Sequence, residues 1–399
     1  MNGFFELRIV LVSVFFFWTL YNIPIFLTGL KRYKNTGESK DNVFYDYYQP
    51  KVSIIVPVKN EDKVIGRLLE SLVKLTYTKK EVIIVEDGSS DNTVSICRQY
   101  AEKYPSLIKF YHRRISSGKP SAINHAVKTA TGEIIAIYDA DTIIEPDVLE
   151  KIIPYFKDED VAAVQGELYT VNPDDSLITK VSVLNDFLTH VQQLGKEKLG
   201  LFIASLGTHT YFRRKSLEEL GFWDSNALVE DLEISVRLAR RGYKIRYVPV
   251  KAGIEVPAKL SPFIRQRLRW FRGHIQTAGK HKNLLRSLSR KSIDAQLTLL
   301  IPLVLPLSLL GYITGILGIV GSQTEQVIGT VILLVSISTP LTVATADPKS
   351  FTYAPLLYLN WLLIAFISMV ACLYAALRRP LKWTKTEKSG SISVQKKWA

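Results

Sequence analysis

Sulfur and acid are the scarce ingredients of this chain. Only two of its 399 residues are cysteine, Cys97 and Cys372, far apart in sequence. Such a pair builds neither a disulfide framework nor a cysteine metal site, so each is expected as a small buried hydrophobe. Asp and Glu number 37 against 51 Lys and Arg, for a formal net charge of +14 and an isoelectric point near 9.5. That balance suits an anionic partner: nucleic acid, anionic lipid or a nucleoside diphosphate. Two phosphate-binding signatures are missing as well. No G-x-G-x-x-G follows the first strand and no G-x-x-x-x-G-K-[ST] occurs anywhere, which disfavours dinucleotide-binding and P-loop folds.

Apolar residues are plentiful at 47%, and a mean hydropathy of +0.10 is high for a soluble enzyme. Residues 9–30 are nearly uncharged and long enough to cross a bilayer of roughly 30 Å. Their length, without a small-residue cleavage site, favours an anchor over a signal peptide. Lys31, Arg32 and Lys34 then place the following domain in the cytoplasm, on a plasma-membrane protein. Residues 297–320 (with Pro302 and Pro306), 327–344 and 354–377 are further runs of spanning length. Three spans would put the C-terminus outside, whereas Arg378, Arg379, Lys382, Lys385, Lys388, Lys396 and Lys397 argue for inside. Either one run is re-entrant or the charge rule fails here. The expected division is an anchor over 1–30, a linker over 31–50, a catalytic domain over 51–258, basic interfacial helices over 259–294, membrane helices over 295–378 and a basic tail over 379–399.

Between the apolar ends, strands alternate with helices. Residues 52–56 are an apolar strand run closed by Pro57, with Lys59, Asn60 and Glu61 at its tip. Residues 64–75 have helical spacing at Ile65, Leu68, Leu69 and Leu72. Residues 81–85 form a second strand that ends in Glu86-Asp87-Gly88-Ser89-Ser90-Asp91. A helix over 93–102, a strand over 107–111 and a helix over 119–130 follow. The run 134–138 is then a buried strand leading into Asp139 and Asp141, punctuated by Thr131-Gly132 before and Glu145-Pro146 after. This alternation implies an α/β fold: a doubly wound, mostly parallel sheet with a nucleotide crevice at the carboxyl ends of its strands. Residues 161–165 read as another strand. Residues 177–194 form an amphipathic helix with Val181, Leu184, Leu188 and Val191 on one face, directed at either the core or a membrane surface.

Each strand delivers polar residues to the same edge: Glu61, Asp87, then Asp139 and Asp141. Two carboxylates two residues apart share one side of an extended backbone, a site for a hard divalent cation and through it a diphosphate. Ser90 and Asp91 read as helix caps. Asp87, directly at its strand end, is a candidate ribose or base contact. Lys119, after Gly118, either meets a phosphate or covers surface. Glu230 and Asp231 fall at a helix start, where the dipole favours anions. They either cap that helix or supply the carboxylate that takes a proton from an acceptor hydroxyl. Residues 261–291 are the most basic stretch, with Arg265, Arg267, Arg269 and Arg272 interleaved with Phe263, Leu268, Trp270 and Phe271. Three uses compete: an interfacial helix on anionic lipid, guanidinium groups for a diphosphate, and nucleic acid. The last is set aside, because the stretch abuts membrane spans and holds no recognised motif.

Five motifs stand in a fixed order: Val85 to Asp91, Gly118-Lys119 to Asn124, Asp139-Ala140-Asp141, Val229-Glu230-Asp231, and Gln266-Arg267-Leu268-Arg269-Trp270. Over residues 50–275 the chain resembles the membrane-embedded glycosyltransferases of family 2. These include cellulose, chitin and hyaluronan synthases and the nodulation chitooligosaccharide synthase. The resemblance implies a GT-A fold and a nucleotide-sugar site. Pro57, Glu61 and Asp87 would frame uracil and ribose, with Lys59 and Lys119 beside them. Asp139 would contact the nucleotide and join Asp141 in holding Mg²⁺ or Mn²⁺ on the diphosphate. Asp231 would be the general base, with Glu230 next to it. Gln266, Arg269 and Trp270 would close the site, Arg269 near the leaving diphosphate and Trp270 near the acceptor sugar. The chain departs from the pattern at Val229, where relatives often carry Thr, and in having fewer spans than polymer-secreting relatives. The expected activity is inverting, metal-dependent transfer from a UDP-sugar to a growing poly- or oligosaccharide at the bilayer. The alternatives are a single addition to a lipid or polyprenyl phosphate, and a catalytically inactive nucleotide-binding tether.

Overall fold

A computed structural model describes residues 2–35, 48–282, 289–317, 323–336, 353–380, 386 and 388–392 of the protein. The apolar strand runs lie at its centre. β1 (Val52–Val58), β2 (Lys80–Asp87), β3 (Ile108–Arg113) and β4 (Ile134–Ile137) are parallel neighbours in the order β3-β2-β1-β4. β6 (Thr210–Arg213) adds antiparallel to β4, then β5 (Val161–Thr170) antiparallel to β6, and β7 (Lys244–Ile254) parallel to β5. All of β1 and β4 is buried, as strands covered on both faces must be. Side chains alternate accordingly. Ile54 and Val56 pack with α2 (Ile65–Val73) and α3 (Thr93–Lys103), where Cys97 is buried as expected. Ile55 points the other way, toward α4 (Lys119–Thr129), α7 (Arg214–Leu220) and α8 (Glu230–Arg240). The short helix α5 (Val148–Ile152) starts two residues after Pro146 and closes the first core.

β6 and β7 have no counterpart in the sequence reading. β6 is four residues long, too short to set a period, and β7 meets β5 with a register shift that breaks its alternation. Their effect is to turn the second half of the sheet so that the loop before β6 faces the tip of β4.

α1 (Asn2–Asn35) runs through the first part of the expected linker; residues 36–47 lie outside the described residues. It crosses α6 (Leu177–Lys198) at close range. A Cβ on Gly29 would lie 1.9 Å from the Val191 carbonyl oxygen, and one on Gly195 1.9 Å from that of Ile25. α6 begins with a reciprocal cap, Ser176 Oγ accepting from the Thr179 amide and Thr179 Oγ1 from the Ser176 amide. It lies between α1 and the sheet with Val181, Leu184 and Val191 buried, Val181 and Leu184 packing on Leu357 of an apolar C-terminal helix. α9 (Leu260–Lys280), the basic helix, packs on α10 (Arg290–Leu317) and α12 (Ala354–Ala376) through Phe271, Leu268, Ile301 and Ile367. α10 therefore starts inside the stretch expected to be interfacial.

Among the described residues, three helices are long and apolar enough to cross a membrane: Ile9–Asn35, Arg290–Leu317 and Pro355–Ala376. Of the run 327–344, only the part within α11 (Gln323–Ser336, 14 residues) is described; 337–344 lie outside the described residues. Lys388 bonds Asp141, and Ser389 and Gly390 bond Glu255, so this part of the tail lies against the sheet's carboxyl edge. Lys382, Lys385, Lys396 and Lys397 lie outside the described residues.

Candidate active site

β4 stops at Ile137, so Asp139 and Asp141 sit on the turn beyond the strand rather than on extended backbone. The expectation that they share one side changes accordingly. Each carboxylate faces its own cation. Asp139 Oδ1 is 2.7 Å from Lys119 Nζ. Asp141 Oδ2 is 2.6 Å from Lys388 Nζ and accepts the Glu255 amide at 3.1 Å. The turn is held in place by Thr208, whose hydroxyl accepts the Asp139 amide at 2.9 Å and meets Thr142 Oγ1 at 2.8 Å.

Lys119 opens α4 immediately after Gly118, whose φ of 86° suits glycine. Its ammonium reaches three groups from separate elements: Asp139, Glu230 Oε1 at 3.2 Å, and the Gly207 carbonyl at 3.0 Å. Glu230 and Asp231 stand in the first turn of α8, and Asp231 Oδ1 accepts the Leu232 amide at 2.8 Å. Gly207 (φ 81°) passes directly beneath. A Cβ there would be 2.8 Å from Asp231 Oδ2.

The two neighbouring acids are driven apart. Burial alone would raise Glu230, but Lys119, a backbone amide and Arg269 hold it below the usual carboxylate range. For Asp231, burial and then the adjacent Glu230 charge win over Lys119, and its carboxyl is pushed up to about 7. Neighbouring acids with different burial and charge partners are thus shifted in opposite directions.

The tips of β1 and β2 are laced together. Asn60 donates its amide to Ser89 Oγ at 2.8 Å, its side-chain oxygen accepts from Ser90, and the Glu61 amide donates to Thr93 Oγ1 at 2.7 Å. Asp91 Oδ1 accepts the Thr93 amide at 3.0 Å, but the capping position itself is Asn92, whose side chain makes no cap bond, so neither Ser90 nor Asp91 is the cap expected. Asp87 is buried. It accepts the Ser116 hydroxyl at 2.7 Å and the Gly118 amide at 2.9 Å, with Arg113 Nε at 3.3 Å. It therefore orders the loop that presents Lys119. From the other side, α9 brings Gln266, Arg269 and Trp270. Arg269 donates to the Leu228 carbonyl at 3.2 Å, and Trp270 packs by Phe202, Val229 and Leu232 with the Arg267 guanidinium 4.2 Å over its ring.

All twelve sequence-selected residues line one cavity of about 1220 Å³: Pro57, Lys59, Glu61 and Asp87 from the strand tips, Lys119, Asp139 and Asp141 at the turn, Glu230 and Asp231 on α8, and Gln266, Arg269 and Trp270 on α9. Three residues with the same position were missed. Gly207 carried no signal, lying in a loop. Glu255 follows β7 and accepts the amide and hydroxyl of Ser389 and the Gly390 amide. Lys388, which looked like one of many tail lysines, is joined to Asp141 across 247 positions.

Asp139 and Asp141 fit a hard divalent cation. Both offer carboxylate oxygen, and a lysine ammonium already rests on each of them as a positive stand-in. Among the described residues, no group of three His, Cys, Asp or Glu surrounds such an ion. Its other ligands would be water and phosphate oxygen, as usual for Mg²⁺ in phosphate sites.

Comparison with known proteins agrees with this geometry. The family model for glycosyl transferase family 2 matches residues 53–221. The chain is 32% identical to a probable glycosyltransferase, YdaM of Bacillus subtilis, over 296 residues that span 71% of this chain and 70% of that protein. It is 29% identical to the poly-beta-1,6-N-acetyl-D-glucosamine synthase of Staphylococcus aureus over 68% of this chain and 63% of the synthase. In fold it resembles a mannosyltransferase of Pyrobaculum calidifontis solved with GDP-Man and Mn²⁺, at 23% identity, with a TM-score of 0.64 covering 93% of this chain and 100% of that one. With that family model matched and a glycosyltransferase 32% identical over most of its own length, the chain is a member of glycosyltransferase family 2.

Proposed function

We propose that the protein moves a sugar, with inversion, from a UDP-sugar to a saccharide hydroxyl at a membrane surface, with Mg²⁺ or Mn²⁺. The observation that carries this reading is the placement of Glu230 and Asp231, at the start of α8, in the same hollow as the Asp139–Asp141 turn and Arg269. Pro57, Lys59, Glu61 and Asp87 bind the nucleoside. Asp141 and Asp139 hold the metal, which neutralises charge on the departing diphosphate when bound. Arg269 and Lys119 supply fixed positive charge at the same end, the preorganised kind that accounts for most rate enhancement. Asp231 accepts the proton of the acceptor hydroxyl as its oxygen bonds the anomeric carbon and the bond to phosphate breaks. Such base help contributes on the order of 10²–10⁴ in rate. Glu230 keeps Lys119 in place and Asp231 basic, and Trp270 stacks on the acceptor sugar. The apolar helices and the resemblance to a polysaccharide synthase support a saccharide acceptor at a bilayer. The three units proposed are a membrane anchor, a catalytic domain near 51–258 and a C-terminal membrane bundle.

The test uses the full chain in nanodiscs with Mn²⁺, a panel of UDP-sugars and GDP-mannose, and oligosaccharide acceptors, and measures nucleotide release. UDP release that depends on metal and acceptor is expected. Asp231→Asn should lose transfer while keeping UDP affinity. Normal turnover by a folded Asp231→Asn protein would remove Asp231 as the base.

A further inference from the structure

Three parts of the site arrive on separate elements: the turn with Asp139 and Asp141 after β4, Lys119 on α4, and Asp231 on α8. All three meet one short stretch of chain, residues 205–208, in the loop before β6. The Ser205 amide donates to Ser235 Oγ at 2.8 Å, and Ser235 in turn donates to the Asp231 carbonyl at 2.6 Å. The Gly207 carbonyl accepts from Lys119, and a Cβ on Gly207 would press on the Asp231 carboxylate. The Thr208 hydroxyl takes the Asp139 amide. A shift of these four residues would move base, cation and turn against one another.

What fixes the stretch lies outside the cavity. Gln165 on β5 is fully buried, and both ends of its amide are engaged. Its oxygen accepts the Leu206 amide at 2.8 Å and the Thr210 hydroxyl at 2.6 Å. Its nitrogen donates to the Thr208 carbonyl at 3.2 Å and the Gly166 carbonyl at 2.9 Å. His209 is fully buried too, with a φ of 51°, a left-handed value that is rare for a residue carrying a Cβ. Burial pushes its imidazole down to about 4, so the ring is neutral. Nε2 donates to the Val250 carbonyl at 2.8 Å, which leaves Nδ1 to accept the Tyr211 hydroxyl at 3.0 Å. The ring packs directly on Gly166, where a Cβ would lie 2.0 Å from Nε2, and the His209 carbonyl accepts the Gly166 amide at 3.1 Å. Backbone in a sparsely populated region persists where its surroundings over-determine it. Here β5 does so from one side and Val250 of β7 from another, yet neither Gln165 nor His209 lines the cavity.

We infer that Gln165 and His209 are positioning residues: from behind the cavity they hold residues 205–208 in the conformation that sets Asp231, Lys119 and the Asp139 turn at working distance. This rests on the glycosyl transfer proposed above. It goes beyond that reading in assigning a role to two residues that line no part of the site.

The nucleoside end is independent of this brace. Pro57, Lys59, Glu61 and Asp87 stand at the tips of β1 and β2, and none of the bonds just described reaches them. Loss of the brace should therefore lower metal binding and turnover and spare nucleoside binding, a split that a general loss of folded protein does not produce.

The full chain in nanodiscs is compared with Gln165→Met, which keeps the side-chain length and removes its bonds. Mn²⁺ binding without donor is read by electron paramagnetic resonance, UDP binding without metal by calorimetry, and kcat and KM from nucleotide release. Mn²⁺ affinity should fall about tenfold and kcat on the order of 10²-fold, with metal-free UDP affinity unchanged. His209→Val and His209→Asn form a second pair, which decides the matter should Gln165→Met not fold. Asn accepts left-handed backbone and Val does not, so the Asn variant should melt below the parent yet keep tighter Mn²⁺ binding and higher kcat than the Val variant. Parental Mn²⁺ affinity and kcat in folded Gln165→Met would overturn the inference, as would Mn²⁺ and metal-free UDP binding falling together. So would a His209→Asn protein no better than His209→Val. A parent that binds Mn²⁺ and UDP but releases no nucleotide from any donor would sink the proposed reaction alone, because the two binding measurements still report on the brace. A parent that binds no Mn²⁺ would overturn the inference itself.

Discussion

At alkaline pH the protein should become more stable when its proposed base is removed. Asp231 is held up from 3.8 to about 7 by burial and by Glu230. An acid whose folded value exceeds its unfolded value keeps its proton in the native state through the window between them. The unfolded chain releases that proton near the lower value, so the native state binds more protons and stability falls as pH rises, levelling off above the folded value. Inside the window each pH unit removes about 1.4 kcal/mol. From pH 5 to pH 7 that amounts to on the order of 2–3 kcal/mol. Asp231→Asn has the same shape and nothing to ionise, so its stability advantage over the parent should grow by about that amount across the range while transfer disappears. The assay is denaturant or thermal unfolding of both proteins in the same detergent at pH 5, 6, 7 and 8, paired with the pH profile of kcat/KM. That profile should climb about tenfold per pH unit below the shifted value and flatten above it. A stability difference that stays constant from pH 5 to pH 8 would refute the claim that burial and Glu230 raise this carboxyl. A profile with no limb near neutrality would separate Asp231 from the proton transfer.

Three further outcomes are expected. Asp141→Ala should weaken UDP binding about tenfold or more in the presence of Mn²⁺, the worth of one contact to a charged group, and leave metal-free binding alone; calorimetry showing equal affinity with Mn²⁺ would remove it as a ligand. Lys388 must leave Asp141 before a divalent ion takes the same oxygen, so Lys388→Ala should bind Mn²⁺ alone about tenfold more tightly, as read by electron paramagnetic resonance. Weaker binding would mean that the lysine assists the metal and does not compete with it. Gly207→Ala forces a left-handed residue to carry a Cβ against Asp231, which should cost about 1–2 kcal/mol in unfolding and depress turnover; a neutral melt would show that the loop relaxes.

Most of the catalytic half was legible from local pattern. β1, β2 and β4 are continuous apolar runs because both faces of a parallel sheet are covered, and each ends in acids because the strand ends form the crevice. Asp87 is an instructive partial case. Its place at the edge was readable, but its carboxylate proved to be engaged by the 116–118 loop, and only the packed structure reveals that it organises the approach of Lys119. β6 and β7 were not readable, one being too short and the other irregular in register.

The apolar runs of spanning length, the doubly wound sheet and the acids at its edge were determined by sequence alone, because hydrophobic period and strand-end chemistry are local properties that neighbouring residues carry together. The tertiary structure alone decided which cation meets which acid, that Glu230 and Asp231 share a buried site with Lys119 nearby, and that the tail reaches back to Asp141. Each of these depends on distance and desolvation between segments far apart in the chain, and such contacts leave no period or spacing to be read beforehand.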